Sequence, residues 1–373
     1  MKVEIREVHG KSDLKAFVRL PFRLYKNHPC WVPPLIKAEI NALSPATNPA
    51  FEHSKAALFT AWKGGEMVGR IAGLINSLEI EHIAENHARF GWIDFIDDED
   101  VSSALLTTVE DWARAEGMAL IKGPFGFNQL DKTAMLIEGF GTRGPMGTIY
   151  NYAYYPRHLE KLGYTKDLEW VEVEFYLGDE FPARYQKIED LAKQRYGIQV
   201  MQPRNKSELR NIGKHLFGLM METYHNLPGF CPISQKQQEH YMSNYISFLR
   251  TDLVQIITGK NTIPIGFGVS MPSLSRAMQK ANGRLFPFGI FYLLHARRHS
   301  DTGELALIGV REEWRKKGVH GIIFNETGRA FIRAGMFRIQ VNPMLESNSN
   351  VLSLWKEFNP KIYKRRRTYM KKL

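Results

Sequence analysis

The residues best placed to do chemistry lie between Glu304 and Gly328. Glu304 heads an apolar run, Leu305 to Ile308 and then Val310, and a polar turn follows from Arg311 through Arg315, Lys316 and Lys317. Gly318, Val319, His320 and Gly321 then open an apolar helical pattern with Ile322, Ile323 and Phe324. A strand, a basic glycine-containing turn and a helix together form a phosphate-binding device. N–H groups at a helix start are unpaired, the helix dipole favours anions there, and glycine lets the backbone approach an oxygen closely. Glu304, at the head of the strand, is the carboxylate placed to act as a base, and His295 and His299 are further candidates. The bland alternative for the same residues is a solvated helix start and a strand-edge carboxylate.

The spacing is narrower than the generic device. Val310, four residues, then Arg315-x-x-Gly318 resembles the coenzyme A loop of the GNAT acyltransferases, whose pattern is Gln/Arg-x-x-Gly-x-Gly/Ala. One position departs: the last one falls on His320, and the glycine comes one residue later, at Gly321. Downstream, the strand-like Phe337–Val341 precedes Asn348-x-x-Val351-x-x-Leu354-Trp355, similar to the family's second signature. The resemblance implies that Asn348 contacts the pantetheine arm. It also implies that the position of the usual tyrosine acid is Trp355, whose indole donates but does not titrate usefully. The implied co-substrate is acetyl-CoA or another acyl-CoA, held at Val310, Arg315 to Gly321 and Asn348. The implied chemistry is N-acyl transfer to a small-molecule or peptide amine, with Glu304 as catalytic base. No metal is expected.

Composition fits a globular chain of two domains. It has 373 residues, 44% hydrophobic, and no apolar run as long as a membrane span. The N-terminus is mixed in charge, unlike a signal peptide. Cys30 and Cys231 are far apart and read as buried thiols, which together point to a reduced, cytoplasmic setting. Residues 181–373 carry 31 Lys and Arg against 13 Asp and Glu, a net +18, whereas the first 180 residues carry a net −7. The basic half contains the candidate loop and suits a polyanionic coenzyme; RNA or an acidic membrane surface would suit it too. At the C-terminus, Lys361, Lys364 to Arg367, Lys371 and Lys372 read as a solvated edge strand or as a partner for phosphate or RNA.

The order of elements repeats. Residues 56–76 and 253–270 each read as a hairpin around a polar turn, at Gly64-Gly65 and Gly259-Lys260-Asn261. Each is followed by strand, helix and strand patterns. Helices are expected at 182–196, 207–224, 234–248, 288–298 and also at 130–138, and Tyr152, Tyr154 and Tyr155 form an aromatic cluster. The expectation is an α/β (α+β) chain of two tandem GNAT-like domains, 1–178 and 179–373, each a mostly antiparallel sheet flanked by helices. In the first, the turn matching the coenzyme loop is Asp97-Asp98-Glu99-Asp100, whose carboxylates would repel phosphate, so that half is expected to be degenerate. Two other functions fit the pattern: a non-catalytic scaffold on a degenerate tandem fold, and a transferase using aminoacyl-tRNA.

Overall fold

The structure, a computed structural model, describes residues 2–246 and 248–373. In the first half the elements are β1 (Glu4–Glu7), α1 (Gly10–Leu24), α2 (Ile36–Ala42), β2 (Ser54–Lys63), β3 (Glu66–Asn76), α3 (Ser77–Ile83), β4 (His87–Phe95), α4 (Glu99–Ala115), β5 (Leu120–Gly123), β6 (Met135–Glu138), α5 (Tyr154–Lys161) and β7 (Thr165–Tyr176). The second half continues with α6 (Ala183–Tyr196), β8 (Gln199–Met201), α7 (Lys206–Tyr224), α8 (Gln235–Tyr245), β9 (Val254–Thr258), β10 (Pro264–Pro272), α9 (Ser275–Ala281), α10 (Gly289–His299), β11 (Thr302–Val310), α11 (Val319–Arg333), β12 (Arg338–Val341), β13 (Met344–Leu345), α12 (Ser349–Ser353) and β14 (Lys361–Lys372).

All fourteen strands form one sheet, in the order β1-β2-β3-β4-β5-β14-β7-β12-β11-β10-β9-β8, with β6 on β14 and β13 on β7. Read inward from either end, the list is the same motif twice, with the last strands exchanged. β7 closes the first half in sequence but pairs with β12, and β14 closes the second half but pairs with β5. The two halves are therefore joined through β7 and β14, which pair antiparallel along most of their length.

This placement corrects the edge-strand reading of the basic C-terminus. β14 has neighbours on both sides, and Arg365, Arg366 and Arg367 reach the β7 carboxylates Glu169 and Glu172. Arg366 pairs with Glu172, both fully buried, and Arg367 reaches Glu169 at 3.2 Å. A buried guanidinium is tolerated only when an opposite charge and hydrogen bonds replace water. The helix expected over 130–138 is also corrected: Met135–Glu138 pairs with Arg365–Arg367 as a strand. Its four residues are too few to separate a strand from a helical turn by periodicity.

Side-chain alternation along β11 sorts the second half's two faces. Gly303 lies against the Phe331 ring, and Leu305 joins the cluster of Phe324 and Phe331, so this face meets α11. Glu304 points to the other face, and because the strand skips Ala306 in its pairing, Leu307 joins that face, packing against the α7 cluster of Leu216, Leu219 and Met220.

Candidate active site

β11 and β12 run parallel only from Thr302 to Leu305, and the last link is Asn342 N–H to the Leu305 carbonyl at 3.0 Å. Past it, β12 leaves, while β11 continues to Val310 with only β10 recorded as its strand partner among the described residues. A register shift between Val269 and Ser270 skips Ala306, a bulge that bends the strand where the two separate. The open edge would leave backbone groups unpaired. Tyr224, the last residue of α7, meets this need at Ile308: its hydroxyl donates to the Ile308 carbonyl at 2.9 Å and accepts from the Ile308 N–H at 3.3 Å. Burial pushes the Tyr224 phenol up to about 12.

At the end of this cleft stands the start of α11. Gly318 is its N-cap, with φ +81°, and no side chain caps the helix. The first intrahelical bond recorded at this end is Ile322 N–H to Gly318 carbonyl, so the N–H groups of Val319, His320 and Gly321 face the loop as helix-start donors. Arg315 and Lys316 are exposed beside them. Lys317 lies over the Trp314 ring at 4.5 Å, and the Arg315 Nε donates to the Val310 carbonyl at 3.3 Å. Burial holds the His320 imidazole below its usual range, and its ring bonds back to the Arg315 backbone. Glycine at 318 has a structural reason of its own. Its left-handed φ strains any L side chain, and a Cβ there would meet Ile188 and Ala192 of α6 at 3.2 Å. A Cβ at Gly321 would press on Ile188 at 2.7 Å. α6 thus covers the glycine side of the loop, leaving the helix end and the basic residues as the part that can meet an anion.

On the opposite face of β11, Glu304 is 2% exposed and its Oε1 has no hydrogen-bond partner among the described residues. Burial pushes its carboxyl up to about 7; Ser273 acts against that shift and the Glu172 charge adds to it. A carboxyl that exchanges its proton near neutrality, without a fixed cation, has the properties of a general base. Around it Tyr363 donates to Glu172 at 3.0 Å, and Lys364 donates to the Gly139 carbonyl at 2.9 Å. Burial, with Arg366 nearby, lowers the Lys364 amine to about 8. The 139–150 loop of the first half closes this side, since Arg366 also donates to the Ile149 carbonyl. Both halves contribute to the surroundings of Glu304.

The equivalent place in the first half is filled. Asp98 caps α4, accepting from Asp100 and Val101 N–H at 3.0 and 3.4 Å, and Lys63 binds its other oxygen at 2.5 Å. The α4 donors that a phosphate would use are taken by a carboxylate. The end of β4 is closed too: Tyr155 accepts from the Phe95 N–H at 3.0 Å, Tyr154 donates to its carbonyl at 2.5 Å, and Tyr25, just past α1, bonds Tyr155 at 2.8 Å. The aromatic cluster of residues 152–155 packs against Phe95 and Tyr25.

The remaining candidates make contacts of their own. The Asn348 side chain caps α12 through Val351 N–H at 3.3 Å. Trp355 is buried, 4.8 Å from Phe324, and its indole faces the Met344 sulfur at 3.1 Å. His295 and His299 stack on each other on exposed positions of α10. Cys231 is fully buried and its thiol is pushed up to about 12, chiefly by burial, so it is no nucleophile. Sequence reasoning missed Tyr224 and Glu172, and placed Lys364 on a solvated edge. Tyr224 carried no motif, and the other two come from strands whose exchange no local pattern encodes.

No family model matches the chain. Among curated proteins, it is 30% identical over 376 residues to Protein YghO of Escherichia coli, covering 99% of this chain and 95% of that one. It is 26% identical over 383 residues to a bacterial ceramide synthase of Caulobacter vibrioides, covering 98% and 96%. Among solved structures, a tandem GNAT protein from the clavulanic acid biosynthesis pathway aligns over 100% of this chain and 98% of its own, with a TM-score of 0.59 at 9% identity. That likeness agrees with the doubled strand order and with the splayed β11 and β12. The chain belongs to the same family as Escherichia coli Protein YghO, and its fold is the tandem GNAT fold.

Proposed function

We propose that this protein is an acyl-CoA-dependent N-acyltransferase whose chemistry is confined to the second half. The observation that carries the reading is the pairing of an uncapped α11 start, beside the open edge of β11, with the buried, proton-exchanging Glu304 on that same strand. The contrast with α4, which is capped by its own carboxylate, supports assigning the coenzyme to one half only.

Acyl-CoA supplies an activated thioester, at which an amine forms a C–N bond as the C–S bond breaks. Arg315, Lys316 and the N–H groups of residues 318–321 would hold its phosphates. The β11 edge near Val310 offers backbone N–H groups to the developing oxyanion. Glu304 takes the proton that the amine must lose. With Trp355 facing Met344 in the core, Tyr224 is the phenol next to the cleft that can return a proton to the departing sulfur.

The name of the Caulobacter relative points to a long-chain amine as acceptor and a fatty acyl group as donor, because ceramides are amides of that kind. A thiol-release assay tests both. Acetyl-CoA and long-chain acyl-CoAs are each offered with a sphingoid base, a short polyamine and a peptide amine. The reading expects release with a long-chain pair, and release with none of the pairs would remove it.

A further inference from the structure

We propose that the α9–α10 unit is a docking surface for an anionic lipid bilayer. Phe286, Phe288 and Phe291 are 75%, 68% and 64% exposed, and Leu294 is half exposed beside them. Large aromatic groups in such numbers on one short segment lose favourable burial unless something covers them. The segment is not loosely held. Gln279 donates to the Pro29 and Trp31 carbonyls at 2.8 Å, Ile36 N–H bonds the Gly283 carbonyl at 3.0 Å, and Leu293 packs with Val32 and Met278. The anchored inner side leaves the outer side displayed as a fixed surface.

Charge selects the occupant. From Leu253 to Ser300 the sequence contains no Asp or Glu, while Lys280, Arg284 and Arg298 flank the aromatic residues at exposed positions. A second copy of the same surface would place these cations against their own kind. An anionic bilayer satisfies both features: the phenyl groups enter the acyl boundary and the cations stay at the headgroups. α10 has 11 residues, and no helix among the described residues is long and apolar enough to cross a membrane, so the unit lies on the bilayer. Ser273, which acts on the Glu304 carboxyl, precedes α9 by two residues in sequence.

The proposal is independent of the acyl-transfer reading, because lipid binding is measured without turnover. The full chain is sedimented with vesicles of equal parts phosphatidylglycerol and phosphatidylethanolamine, and separately with phosphatidylcholine vesicles. Wild type is expected to sediment with the first and far less with the second, and to be released by high salt. Changing Phe286, Phe288 and Phe291 together to Ser should lower the partition coefficient at least about tenfold. Arg284→Gln with Arg298→Gln should lower it several-fold and keep the melting temperature, which holds the test open if the triple variant fails to fold. Wild type left in the supernatant with anionic vesicles would overturn the proposal. So would a folded triple variant that sediments like wild type, or a wild-type dimer that the triple change dissociates while neither form sediments.

Discussion

The Tyr224 hydroxyl bonds both backbone groups of Ile308, giving its proton to the carbonyl at 2.9 Å and accepting from the N–H at 3.3 Å. One side chain at the end of α7 thereby serves the open edge of β11, where an amide-bearing coenzyme arm would find its own partners. Ligand and phenol compete for the same two groups. Tyr224→Phe should destabilise the ligand-free protein by about 1 kcal/mol and tighten acyl-CoA binding by roughly fivefold. Thermal melts and calorimetry check both. Weaker binding in the variant would mean that the phenol and the coenzyme do not compete for Ile308.

Glu304 gives a pH prediction with a definite sign. Its folded pKa is raised to about 7 from 4.5, so the folded state prefers the protonated form. The associated stability is complete below pH 4.5 and is lost as pH rises through 7. Glu304→Gln, which mimics the protonated form, should match wild type near pH 4.5. It should be the more stable protein above pH 8, by an amount on the order of 3 kcal/mol at most. Activity runs the other way: wild-type kcat/KM should rise with pH through about 7, and the variant should lose that rise along with most of its rate. Denaturant melts and rates across this range read the two effects separately.

The β7–β14 junction should depend on its buried charges. Arg366→Met leaves Glu172 charged and without its cation at 0% exposure, which should cost about 3–5 kcal/mol. Pairing it with Glu172→Leu should recover much of that loss. Urea denaturation of the single and double variants tests this, and equal losses in both would show that packing rather than charge dominates.

At the loop, Gly318→Ala should cost about 1–2 kcal/mol of stability from its left-handed φ alone, before any effect on a ligand. Arg315→Ala, at an exposed position, should leave stability unchanged and weaken acyl-CoA binding in a salt-sensitive way.

Local signals made most of the fold legible. The two hairpins, the helix pattern of 319–333 and the repeated order follow from periodicity and turn residues, which act over a few positions. The α11 loop was legible for the same reason. The exchange of β7 and β14 was not, because pairing between Thr165–Tyr176 and a strand some two hundred positions later has no local signature. That one fact moved Lys364 and Arg366 from an expected solvated edge to the surroundings of Glu304. Glu304 itself was legible as a carboxylate at the head of a strand, but its burial was not, because Glu172, Tyr363 and Ser273 come from three other segments.

The measurement closest to the central claim is calorimetric titration of acyl-CoA into wild type and into Arg315→Glu with Lys316→Glu. Both changes lie on exposed positions just before the α11 N-cap and put carboxylates beside that helix start, where α4 has its capping Asp98 carboxylate. The account predicts saturable binding to wild type, a loss of at least about tenfold in the charge-reversed protein, and an unchanged melting temperature. Equal affinity in the two proteins would contradict it and place the coenzyme elsewhere.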